Sequence, residues 1–156
     1  MTGQIVPADD HVVRTVGKKK WDEVQTESGT TVLFANDVFL PREDHPPGTG
    51  PEECVSVDWL EYFSGSLPIQ LRQVRDAVAA RRQSGKVGKQ AQFAVVVVGD
   101  VHAAAKKGGK QVQVKTTGDE TDPSHSGIYG LEPYDHIISQ EIVRRAHAYR
   151  AYPENP

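Results

Sequence analysis

The chain has one cysteine, Cys54, and one methionine, Met1, in 156 residues. A single thiol closes no internal disulfide and cannot build a multi-cysteine zinc site. Long apolar runs are also missing. The longest, Phe93 to Val98, is six residues, against the roughly 20 that a membrane-spanning helix requires. Met1 to Asp10 has neither a basic segment nor an apolar one, so no signal peptide is read there. Together these absences predict a cytoplasmic, reducing setting and no membrane partner. Catalytic signatures are equally scarce. No Gly-x-Ser-x-Gly elbow and no His-Glu-x-x-His spacing occurs. Gly99-Asp100 lacks the later glycines and the Lys-Ser/Thr pair of a phosphate-binding loop, which argues against P-loop nucleotide hydrolysis.

What is present begins with charge. The formal net charge of −3 conceals a basic middle between acidic ends. Residues 1–63 balance to −7, residues 64–118 to +8 and residues 119–156 to −4. A positive block of this kind can face a polyanion or be neutralised by its own flanks. Arg72, Arg75, Arg82, Lys86 and Lys89 are the candidate anion- or nucleic-acid-binding residues, with Lys106 and Lys107 as a second patch. No aromatic residues interleave with them for base stacking, so any such binding would be driven by phosphate.

The order of elements predicts an α+β domain over residues 11–152, with a short mixed sheet and two main helices, after a flexible lead-in over 1–10. His11 to Val16 and Thr30 to Phe34 read as strands, and Cys54 to Val57 as a short one ending in Asp58 as a helix N-cap. Leu67, Leu71, Val74 and Val78 recur at helical spacing, which predicts a helix over 67–83 stopped by Gly85. Phe93 to Val98 fits a strand covered on both faces. Asp100 is placed to cap a short helix over 101–107, and Val112 and Val114 mark a half-exposed strand. Gly118 to Gly130 reads as a polar loop. A last helix over 135–150 would bury Ile138, Ile142 and Tyr149 and stop at Pro153.

The loop candidate carries most of the chemistry. Asp122, Ser124, His125 and Ser126 combine a carboxylate, a group that titrates near neutrality and two hydroxyls. His125 is the candidate acid or base and Asp122 its orienting carboxylate. Ser56 is a candidate nucleophile if a base lies beside it, and Arg14, the one base in an apolar strand, a candidate anion site. Metal is not indicated. His136 and His147 fall on one face of that last helix but stand about 16 Å apart at a rise of about 1.5 Å per residue, and the other histidines are scattered. No cofactor is predicted.

The order of Arg14 on an early strand, Phe39, Ser56-Val57 before a helix and the run from Asp122 to Ile128 resembles a group of small uncharacterised bacterial proteins. The resemblance spans His11 to Gly130 and implies a bacterial or phage-related origin. More distantly it is similar to ADP-ribosyltransferase-like toxins, which place an Arg or His on a first strand and a Ser later; their closing catalytic Glu has no counterpart here. On sequence alone the charge segregation favours an accessory protein of a bacterial multi-gene system, such as a defence or toxin system, that contacts a neighbouring gene's product or nucleic acid. The alternative is a small His-dependent enzyme acting on a nucleotide or phosphodiester. The oligomeric state is open.

Overall fold

The computed structural model describes residues 3–151. Eight strands and three helices follow in the order β1 (His11–Val16), β2 (Trp21–Thr26), β3 (Gly29–Phe34), β4 (Cys54–Trp59), α1 (Leu67–Arg81), β5 (Gln92–Val97), α2 (Val98–Lys107), β6 (Gln113–Thr116), β7 (His125–Tyr129), α3 (His136–Arg145) and β8 (His147–Arg150). Six strands form one sheet in the order β6-β7-β4-β1-β5-β8, each antiparallel to its neighbours. β2 and β3 make a separate hairpin. The class is α+β, and no helix of the described residues is long and apolar enough to cross a membrane.

Side-chain alternation along the sheet separates two cores. On one face Val12, Val16, Val55, Val57, Ala94, Val96 and Ile128 pack with Val101, Ala104 and Ala105 of α2 and Ile138 and Ile142 of α3. On the other, Val13, Phe93 and Val95 meet Leu71, Val74 and Val78, the buried stripe of α1. Phe39 and Phe93 are fully buried, each contributing about 1.5–3 kcal/mol. Pro68 sits in the first turn of α1, where its missing N–H leaves no helical bond unmade.

Several expectations change. Residues 4–6 are tied to the β6 edge rather than loose: Val6 N–H donates to the Val114 carbonyl, Ile5 bridges Lys115, and Val6 is 1% exposed. Asp58 lies inside β4, buried, and caps no helix. The stretch read as a loop up to Gly130 contains β7, an interior strand. Its burial rests on small residues: a Cβ on Gly127 would lie 2.6 Å from Cys54 Sγ and 2.8 Å from the Tyr129 ring. The last helix ends at Arg145, and Ala146 turns the chain into β8, leaving Tyr149 exposed on the edge strand and His147 off the helix. Pro153 lies outside the described residues. α2 begins at Val98, so Asp100 falls in its first turn rather than at its cap.

Candidate functional site

β4 and β7 create the site by pairing distant segments. Their register sets Ser56 opposite Gly127 and Asp58 opposite His125. Because Val55, Val57 and Ile128 point into the α2–α3 core, Cys54, Ser56, Asp58, His125 and Tyr129 share the opposite face, the one that carries α1. Ser56 and His125 are therefore diagonal neighbours across the two strands. Ser56 Oγ and His125 Nε2 lie 2.6 Å apart, and both residues are half-buried, within reach of solvent.

Behind the histidine stands a network that sequence reasoning misses. Arg81, in the last turn of α1, bonds Asp122 through Nε at 2.5 Å and Nη2 at 3.0 Å. The same guanidinium holds Asp58 at 2.7 and 3.2 Å. Asp58 also accepts the Ser124 hydroxyl at 3.1 Å. Asp122 Oδ2 is 3.9 Å from His125 Nδ1, so the expected orienting carboxylate is present but beyond hydrogen-bond distance. Burial, and then the nearby Arg81 charge, hold the His125 imidazole below its usual pKa, with Asp58 and Asp122 opposing. The imidazole is thus biased toward its neutral form, the form that accepts a proton. A cavity of about 330 Å³ opens beside Arg81, Asp122 and Ser124.

The strand face continues to Cys54 and Tyr129. Burial raises the Cys54 thiol and, with Cys54 beside it, pushes the Tyr129 phenol up to about 12. Neither ionises near neutrality, so Cys54 offers no thiolate.

Arg14 reaches the site from the other side. It leaves β1 between Val12 and Val16, on the α2–α3 face. β1 and β4 pair only at Val12–Trp59 and Val13–Asp58 and then part. Continued pairing would set Thr15 against Ser56; instead the Arg14 guanidinium occupies that place. Its Nη1 donates to the Ser56 carbonyl at 2.8 Å and its Nε to the Val38 carbonyl at 3.2 Å. Arg14 therefore meets the backbone of Ser56 rather than its hydroxyl. Burial is the chief cause lowering its pKa, and no carboxylate among the described residues pairs with it.

The basic residues do not assemble into one surface. Arg72 and Arg75 ride on α1, Arg82 caps it, and Lys86 and Lys89 follow in the next loop. Lys106 and Lys107 lie on α2, across the sheet from α1. Arg75 pairs with Asp76 and Lys107 with Glu141. Ser126 is buried on β7, donating its hydroxyl to the Ser124 carbonyl.

The chain matches no family model, no curated protein and no solved structure.

Proposed function

We propose that this protein is a small His-dependent enzyme acting on a nucleotide or phosphodiester substrate. The observation that carries the reading is the 2.6 Å approach of Ser56 Oγ to His125 Nε2. A neutral imidazole with its proton on Nδ1, toward Asp122, leaves Nε2 to accept the Ser56 hydroxyl proton. His125 is the general base and then, once protonated, the acid that returns the proton to a leaving group. Asp122, fixed by Arg81, stabilises the imidazolium as it forms; closing the 3.9 Å gap on substrate binding would make this a direct hydrogen bond. Arg14 fixes the backbone of Ser56 and places a cation behind it. A cation that makes no ion pair of its own is what favours an anionic substrate.

The accessory-protein reading draws less support, because the basic residues that suggested it divide between two faces of the sheet. Localisation in the cytoplasm and a bacterial partner remain part of that alternative proposal.

The experiment is turnover of a panel of nucleotides, dinucleotides and model phosphodiesters by wild type, Ser56→Ala and His125→Ala. Each substitution is expected to lower kcat by about 10²–10⁴-fold. Loss of the hydrogen bond alone would destabilise the fold by only about 1 kcal/mol. Variants that turn over like wild type, or that lose activity only in proportion to lost fold, would refute the reading.

A further inference from the structure

The geometry points to a second site: the cavity where β1 and β4 part binds a phosphorylated sugar, with the phosphate on Arg14 and Arg82 and a sugar hydroxyl on Asp37. The cavity measures about 570 Å³ and its lining includes neither Ser56 nor His125, so this inference shares only Arg14 with the catalytic reading. Its size falls within the range of small-molecule sites.

Three residues on its wall have unused hydrogen-bonding capacity. Arg14 uses only Nε and one Nη1 proton within the protein, which leaves the donors of Nη2 for a ligand. Asp37 bonds Lys20 through Oδ2 at 2.6 Å, whereas its Oδ1 is buried with no hydrogen-bond partner. The Thr15 hydroxyl is buried and unpartnered as well. Buried polar atoms left unpaired are uncommon, and each is destabilising by about 1–3 kcal/mol. Two such oxygens beside the unused edge of the Arg14 guanidinium describe the complement of a ligand that carries an anion and a hydroxyl.

The remaining wall narrows the class. Of the other cations there, Lys20 is engaged by Asp37 and Arg42 by Glu52. Arg82 pairs with no carboxylate among the described residues and joins Arg14 in facing an anion. Leu40, Pro41 and Pro133 supply an apolar wall against which a ring can lie. An isolated inorganic anion would leave Asp37 and that wall unused. A neutral sugar would leave both arginines unmatched. A sugar phosphate, free or as the ribose phosphate of a nucleotide, uses all of them.

The test is calorimetric titration of the full chain with inorganic phosphate, ribose, ribose 5-phosphate and AMP. Ribose 5-phosphate or AMP should bind more tightly than phosphate, and ribose should not bind. AMP above ribose 5-phosphate would identify the nucleotide as the source, and the reverse the free sugar phosphate. Arg14→Ala removes two carbonyl partners and can unfold the chain, so the decisive variant is Arg82→Ala, whose side chain is exposed and unpaired. It should weaken all phosphate-bearing probes about tenfold with an unchanged Tm. Asp37→Ala should weaken the sugar phosphates without weakening inorganic phosphate. His125→Ala and Ser56→Ala should bind as wild type does, so a failed catalytic reading leaves this result intact. Absence of binding up to about 10 mM, or equal affinity in Arg82→Ala and Asp37→Ala, would overturn the inference.

Discussion

Replacing Arg81 by Met isolates the electrostatic anchor of the site. Arg81 makes four hydrogen bonds to two carboxylates, Asp58 and Asp122. The side chain of Asp58 is 3% exposed and that of Asp122 19%. Once the guanidinium is gone, Asp58 keeps only the Ser124 hydroxyl and remains a carboxylate in a buried strand. Removing one partner of a buried ion pair generally destabilises by 3–5 kcal/mol. Arg81 itself retains 24% exposure, so water screens part of the interaction and the lower end, about 3 kcal/mol, is the expected loss. For a domain of this size that corresponds to a fall in Tm of roughly 6–12 °C.

The assay is urea unfolding of wild type, Arg81→Met, Asp58→Asn and the double variant. If the Arg81 substitution acts by stranding the Asp58 charge, neutralising that charge relieves much of the damage. The double variant should then be no less stable than Arg81→Met, and the cycle should return a coupling of about 2 kcal/mol. Strict additivity, or a loss below about 1 kcal/mol for Arg81→Met, would refute the claim that the charge pair organises this face of the sheet.

Two further outcomes follow from the same strands. Because burial lowers the His125 pKa below 6.5, the unfolded chain binds a proton more readily than the native one. Stability should therefore be free of this effect above about pH 6.5 and fall as pH drops from there toward the native pKa. His125→Gln should flatten that part of the urea-midpoint profile, and an unchanged slope would contradict the burial argument. Gly127→Ala should destabilise by about 1–3 kcal/mol in a thermal melt, since the new Cβ meets Cys54 Sγ, Cys54 Cβ and the Tyr129 ring within 2.6–2.9 Å; a neutral result would mean that β4 and β7 are not packed as described.

How much of this is legible in the sequence depends on whether a local period exists. Leu71, Val74 and Val78 suffice to place α1, and the unbroken run Phe93 to Val97 suffices for β5, because both patterns are written into consecutive residues. β7 and β8 carry no such pattern. β7 is buried by Ser126, Gly127 and Ile128, two of which read as loop residues, and β8 has one exposed edge and mostly exposed side chains. β2 is a polar strand that pairs, among the described residues, with β3 alone, and Trp21 at its start is its one side chain packed on the main core, so little apolar alternation is imposed on it. His125 and Asp122 draw attention by residue type alone. Their meeting with Ser56, across 69 residues for His125, depends on strand register, which a single sequence does not reveal. Arg81 shows the same limit: nothing local distinguishes the last residue of α1 until β4 and the 119–124 segment are brought beside it.

The opening between β1 and β4 is where energetics bear most directly on function. Full pairing of the two strands would bury Thr15 against Ser56 and close the cavity. Two carbonyls, Val38 and Ser56, need donors where the strands part, and a neutral amide or a peptide N–H satisfies a carbonyl without burying charge. The protein uses a guanidinium instead, accepts its desolvation and gives it no ion pair of its own; Glu52, already held by Arg42, offsets its charge only from a distance. Considered for stability alone, that choice is unfavourable, since a buried cation held by carbonyls and without an ion pair retains much of its desolvation penalty. It becomes favourable when an anion arrives, because the interaction then forms in a poorly solvated place with its donor already fixed. The same residue holds the backbone of Ser56, whose hydroxyl faces His125 on the other side of the strand. Retaining a charge where a neutral donor would serve the fold is the strongest energetic reason for placing ligand chemistry at this end of the sheet.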